Sequence, residues 1–147
     1  MKLQGQYSFP AGREQVWALM LDPDSLKHCV PGCESLEPTG PDQYQVTLKV
    51  GVAAIRGTYK GKIGIVEKEE PVTYRLQVEG SGGPGFVRGE ATIKLEEDGA
   101  GTKVIVDAEG NVGGTVAGVG QRMLGGVAKM LMDQFFNCLK ARVGTGA

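Results

Sequence analysis

The sequence predicts one α+β domain, a single bent antiparallel sheet packed on one face against a long C-terminal helix. Three observations predict it. From Tyr44 to Val112 apolar and polar residues alternate almost without a break, the period of strands with one wet face. From Gly113 to Arg142 the period becomes helical, and at ~1.5 Å per residue such a helix runs about 40 Å, the length of a small domain. No second run of strands is left to cover the sheet, so the helix has to form the other layer.

At 147 residues the chain is long enough for one core and reads as a single domain, 1–147. Its net charge of -1, with both signs scattered, offers no basic stripe to nucleic acid. Met1 to Gln6 lacks the apolar run of a secretory signal, and no stretch reaches the ~18 apolar residues of a membrane span. Cys29, Cys33 and Cys138 are an odd number, which suits buried thiols in a reducing cytoplasm better than a secreted disulfide framework. The closing residues, Gly144 to Ala147, carry no apolar tail, so membrane contact is expected to be peripheral, at the inner face.

The elements follow in order. Leu3, Gly5, Tyr7 and Phe9 alternate with polar residues in a strand closed by Pro10. A short helix buries Val16, Trp17, Leu19 and Met20 and stops at Asp22-Pro23, because the residue before proline avoids the helical region. Asp24 or Ser25 caps a second helical turn through His28, which Val30-Pro31-Gly32 ends. Six strands follow. The inward phase takes Tyr44, Val46, Leu48, Val50 and Val52, then Ile55, Gly57, Tyr59, Gly61, Ile63 and Ile65, then Val72, Tyr74, Leu76, Val78 and Gly80. It continues through Val87, Gly89, Ala91, Ile93 and Leu95, and ends with Val104, Val106, Ala108, Gly110 and Val112. Between the third and fourth of these runs, Gly80 to Gly85 reads as a mobile loop at a cavity mouth with Phe86 at its edge. On the terminal helix Arg122, Lys129, Asp133 and Lys140 share a stripe. Val116, Met123, Val127, Met130, Leu131, Phe135 and Cys138 take the opposite side, where Gln134 is the one amide; Phe136 falls near the charges. Gly118, Gly120, Gly125 and Gly126 each cost this helix about 1 kcal/mol relative to alanine, which calls for a reason.

The inward face is short of volume. Gly5, Gly57, Gly61, Gly80, Gly89, Ala91, Ala108 and Gly110 all point at a helix that is itself rich in glycine. Two readings fit: the glycines let the sheet bend and the helix come close, or they leave an apolar cavity of the usual ~300–1,000 Å³. The set as a whole favours the cavity. Its expected lining is Tyr7, Trp17, Tyr44, Leu48, Tyr59, Gly61, Ile63, Tyr74, Leu76, Gly89 and Ala91, with Met123, Val127, Met130, Leu131 and Gln134 from the helix. All four tyrosines fall on the inward phase, and their hydroxyls suit a guest with carbonyl groups.

No Asp, Glu, Lys or Arg of the strands shares that phase, so the interior lacks an evident general acid, base or nucleophile, which argues against an enzyme. His28, Cys29, Cys33 and Cys138 do not have the paired spacing of a metal site, and no metal is expected. Gly118-Val119-Gly120 lacks the third glycine and following strand of a dinucleotide loop. The run from Gly80 to Gly85 lacks the lysine of a phosphate loop.

The order of elements and several local sequences resemble the START-like superfamily, whose helix-grip fold wraps a bent sheet around a C-terminal helix. Within it, the chain is similar over nearly its full length to the CoxG family of carbon monoxide dehydrogenase subunits. The resemblance rests on Val16-Trp17 through Asp22-Pro23, Cys29-Val30-Pro31-Gly32-Cys33-Glu34-Ser35-Leu36-Glu37, Leu48-Lys49-Val50-Gly51 and Gly57-Thr58-Tyr59-Lys60-Gly61-Lys62. Gly85 through Ala91 and Val112-Gly113-Gly114 leading to Val119-Gly120-Gln121-Arg122 add to it. It implies a small, non-catalytic accessory protein that binds an apolar molecule, an isoprenoid quinone or another lipid, without a permanent cofactor. The implied partner is a molybdenum-containing dehydrogenase, served by quinone delivery or recruitment to the membrane. START-like folds also host aromatase and cyclase enzymes, and an adaptor with a filled core is a further alternative.

Overall fold

Seven strands form one antiparallel sheet in the computed structural model, which describes residues 1–52 and 55–144. The elements are β1 (Lys2–Phe9), α1 (Arg13–Leu21), α2 (Pro23–Cys29), β2 (Cys33–Gly40), β3 (Gln43–Val50), β4 (Gly57–Glu69), β5 (Thr73–Gly82), β6 (Gly85–Asp98) and β7 (Gly101–Gly113). A 3-10 turn (Gly114–Val119) and α3 (Gln121–Gly144) complete the chain. The spatial order β1-β7-β6-β5-β4-β3-β2 means that each strand from β2 to β7 pairs with its sequence neighbours, and β1 closes the β7 edge. This is the antiparallel order expected from the pattern and the helix-grip arrangement that the resemblance implies. Strand phases are as read from the sequence: Tyr74 stands opposite Ile93, Ile93 opposite Val106, and all three are buried.

Several local expectations are corrected. The cap of α2 is Asp22, whose carboxylate accepts from the Ser25 backbone N–H at 3.3 Å and from its hydroxyl at 3.0 Å, not Asp24 or Ser25. Pro23 then occupies the first helical position, where a missing N–H costs nothing. The strand drawn from Ile55 begins at Gly57, and β3 ends at Val50. Ala53, Ala54 and the closing Thr145-Gly146-Ala147, which bore the reading of the chain end, lie outside the described residues. The run from Gly80 to Gly85, expected as a loop, lies almost wholly within β5 and β6. It is a tight hairpin whose Pro84 carbonyl accepts from Val116 N and Thr115 Oγ1, both at 2.8 Å, so the 3-10 turn pins it.

The terminal helix departs most. Its α-helical part begins at Gln121, after Gly120 at φ 99°; the glycine-dense stretch before it winds only as a 3-10 turn. It is also rotated from the expected face. Leu124, Phe136 and Leu139 are buried, with Met132, Phe135, Cys138 and Val143 packed beside the core, whereas Met123 is 56% and Met130 40% exposed and Gln134 is exposed. Phe136, placed near the charges by the pattern, is 2% exposed and stacks on Tyr7, ring centroids 4.1 Å apart. Outside its charged stripe the helix offers a wide apolar surface, and aromatic contact with Tyr7 and Phe9 selects the side that packs.

Cys29 and Cys138 form a disulfide, Cα atoms 5.4 Å apart, that ties α2 to α3. The expectation of three free thiols is therefore corrected, and the odd cysteine count loses its weight as a mark of compartment; Cys33 alone is free. Arg142 reinforces the same junction, donating to Ser25 Oγ at 3.2 Å and Asp24 Oδ2 at 3.1 Å. Among the described residues no helix is long and apolar enough to cross a membrane.

Candidate functional site

The concave face has a closed end and an open end. At the closed end Tyr7, Phe9, Trp17, Met20, Tyr74, Ile93, Leu95, Val104 and Val106 form one core with Phe136 and Leu139. Moving along β5, β6 and β7, each inward row is less covered. Leu76, Ala91 and Ala108 are half-buried, as are Val78, Gly89 and Gly110 in the next row; Val87, in the row after that, is 38% exposed. The backbone of α3 approaches β1, α1, α2 and the 3-10 turn, but comes no comparable distance over β3, β4, β5 or β6. Three apolar residues, Tyr59, Val116 and Leu124, are buried yet stand apart from the main core. A half-covered apolar trough thus runs from the packed end toward the open one, with sheet as floor and α3 along one side.

The expected lining residues are distributed over this surface. Tyr44, Tyr59 and Tyr74 are buried on the concave face; Leu48, Ile63, Leu76, Gly89 and Ala91 are half-buried there; Val127 and Leu131 are half-buried on α3. Trp17 belongs to the closed end, where its Nε1–H donates to Glu70 Oε1 at 2.9 Å and its ring stands edge-on to Tyr74 at 5.3 Å. Gly61 is there for a different reason: a Cβ on it would run into the Glu79 carbonyl on β5, so its backbone needs the space and leaves none. At Gly80 the nearest atom to a built Cβ is 3.6 Å away, and at Gly118, Gly125 and Gly126 nothing lies within 4 Å. The helix glycines therefore face open space, not a close contact. Met123, Met130 and Gln134, placed in the lining by the pattern, stand on the solvent side of α3.

Charges on the strands face away from the trough. Arg75 pairs with Glu90 at 2.6 Å and Arg88 with Glu79 at 4.0 Å across the opposite, wet face. Two open grooves of about 620 and 480 Å³ share Lys62, Glu79 and Arg88 of that face, and their linings are mixed polar and apolar. The helix does bring charge to the concave side, which strand phases could not foresee. Tyr7 donates from its hydroxyl to Asp133 Oδ1 at 2.6 Å, and Lys129 Nζ donates to Asp133 Oδ1 at 2.6 Å and to the Tyr7 hydroxyl at 3.3 Å. Burial, then the bond to Asp133, raises the Tyr7 pKa; the bond from Lys129, then that from Tyr7, lowers that of Asp133; the bonds to Asp133 and Tyr7 raise that of Lys129. Each pKa is moved further from 7, the opposite of what proton transfer at pH 7 needs. The cluster sits over edge strand β1 and fastens α3 to it. Among the described residues no group of three or more His, Cys, Asp or Glu could hold a metal.

Sequence reasoning missed Leu124 and Phe136. A second apolar stripe, Leu124, Ala128, Met132, Phe135, Leu139 and Val143, was present at helical spacing and would have pointed to them.

A search of curated proteins finds no match. Among solved structures, a conserved protein from Geobacillus kaustophilus is 38% identical, with TM-score 0.96 over 99% of this chain and 96% of that one. A START superfamily protein from Mycobacterium smegmatis shares the fold at 12% identity and TM-score 0.75, covering 99% of both chains. A protein from Thermus thermophilus does so at 16% identity and TM-score 0.74, covering 100% of both. The family of the carbon monoxide dehydrogenase subunit named CoxG matches residues 5–144, from the first strand to the end of α3. By that match, which takes in every element that shapes the trough, the chain belongs to the CoxG family of carbon monoxide dehydrogenase subunits.

Proposed function

We propose that this protein is a non-catalytic accessory protein that holds a hydrophobic small molecule in the concave trough, in the service of a molybdenum-containing carbon monoxide dehydrogenase-type enzyme. The observation that carries the binding half is the apolar floor of Leu76, Val78, Ala91 and Ala108, half-covered beside the packed end. Leaving such a surface wet forgoes roughly 25 cal/mol per Å², which a guest recovers on binding. The family supports the partner class, and its name describes a subunit beside a dehydrogenase. An isoprenoid quinone is the guest we favour over other lipids, since it is apolar, carries carbonyls and suits a redox partner. Its delivery, or recruitment of the dehydrogenase to a membrane through it, is the proposed role.

Native mass spectrometry of protein purified from its source, followed by organic extraction, tests this. A retained apolar mass is expected. A protein that carries no guest and takes none up from quinone-containing vesicles would sink the proposal.

A further inference from the structure

The four tyrosines of the concave face differ in where their hydroxyls go. Tyr7 donates to Asp133 and Tyr59 to the Ile55 carbonyl at 2.7 Å. Tyr44 is buried and its hydroxyl has no hydrogen bond among the described residues, but Asp22, Asp42 and Lys68 are charged neighbours at its end of the sheet. Tyr74 is different again. It is 4% exposed, its hydroxyl makes no hydrogen bond among the described residues, and burial alone perturbs it, keeping its proton on. A phenylalanine would fill nearly the same volume without a buried hydroxyl lacking a partner, which is destabilising. That hydroxyl is not sealed, however. The one side-chain nitrogen or oxygen among the described residues that is both shut off from solvent and unbonded is Arg13 Nε, so the Tyr74 oxygen borders open space. On the concave side Tyr74 stands one residue pair from the half-buried Leu76 and Ala91, where the packed core gives way to the trough.

We infer that the Tyr74 hydroxyl is the specificity-determining donor of the trough, giving its hydrogen bond to the carbonyl oxygen of a neutral apolar guest seated at the closed end. The inference rests on the trough being a binding site and adds which chemistry it selects. A neutral carbonyl is chosen over a carboxylate because the floor supplies no cation. Strand lysines and arginines on the wet face point the other way, Lys129 is bonded to Asp133 and Tyr7, and beside Tyr44 Lys68 is paired with Asp42 at 2.6 Å, with Asp22 adding a further negative charge. A desolvated carboxylate there would keep its full burial cost. A ketone or quinone oxygen needs only the one donor.

Titration calorimetry with three probes tests it: 2,3-dimethyl-1,4-naphthoquinone, the hydrocarbon 1,2,3,4-tetramethylnaphthalene of the same outline, and 1-naphthoate. Tyr74→Phe should weaken the quinone about 3- to 10-fold, leave the hydrocarbon unchanged, and leave the unfolding midpoint equal or higher. In the unaltered protein 1-naphthoate should bind at least about 10-fold more weakly than the quinone. Trp17, whose ring stands 5.3 Å from that of Tyr74, gives a second readout, since a quinone seated there quenches its fluorescence. Equal losses for quinone and hydrocarbon, quinone binding unchanged by the substitution, or naphthoate binding as well as the quinone would each overturn the inference while leaving the trough a binding site. Failure of the unaltered protein to bind either neutral probe would overturn the trough reading and this inference with it.

Discussion

Closed and open ends of the concave face are built on the same strands and filled in opposite ways. At the closed end Tyr7, Phe9, Leu95 and Val104 lie under Phe136 and Leu139 with almost no exposure. A few residues along, Gly80, Val87, Gly89 and Gly110 have no such cover, and a side chain added at Gly125 or Gly126 on α3 would meet only open space. The difference teaches that glycine serves two purposes on one surface. Gly61 lets two backbones approach, whereas Gly80 leaves room above the sheet.

Several substitutions can break or sharpen that contrast. The largest effect is expected at the closed end. Phe136→Ala should cost about 3–5 kcal/mol in urea unfolding, as truncation of a buried ring does, while Leu131→Ala on the open side should cost less than about 1 kcal/mol. Equal losses would mean that the trough is packed after all. Next comes the staple at the closed end. The Cys29–Cys138 bridge spans 109 residues of sequence, and Cys138→Ser should lower stability by about 2–4 kcal/mol without weakening uptake of an apolar ligand. A lost uptake would place the bridge in control of the open end. The two glycines separate more finely: Gly61→Ala should destabilise by about 1–3 kcal/mol through its clash with the Glu79 carbonyl. Gly80→Leu should keep the fold within about 1 kcal/mol and reduce ligand uptake at least about 10-fold.

The smallest effect concerns the Tyr7, Asp133 and Lys129 cluster that fastens α3 over β1. Asp133 has a lowered pKa in the folded protein, so its contribution to stability is complete above the ordinary carboxylate value of about 4 and is lost as pH falls through its native pKa. Asp133→Asn should flatten the acid side of the stability profile and leave its slope near pH 7 unchanged; an unchanged acid limb would show that the cluster does not hold the helix. Tyr7→Phe should cost about 1 kcal/mol at neutral pH.

Much of this could be read without coordinates. The alternation through Tyr74, Ile93 and Val106 assigned the buried face of the sheet correctly, and the outward placement of Arg75, Arg88 and Glu90 removed strand charges from the concave side. The site was half legible. Tyr44, Tyr59, Tyr74, Leu76 and Ala91 stand where their phases put them, but Met123, Met130 and Gln134 do not, and Phe136 was assigned to the wrong side of its helix.

The reason is geometric. A strand has two faces, so one polar residue at every other position determines which side is buried, and the sequence by itself settled the sheet and its inward residues. A helix turns about 100° per residue, and α3 is apolar through most of that circle, so its pattern allowed two packing faces some 100° apart. Only the tertiary structure chose between them, because the choice depends on Tyr7 and Phe9 stacking with Phe136, on Cys29 reaching Cys138, and on Asp133 reaching the Tyr7 hydroxyl. It also decided which missing side chains mean close backbones and which mean room for a guest, since that depends on the distance to the next strand and not on the residue.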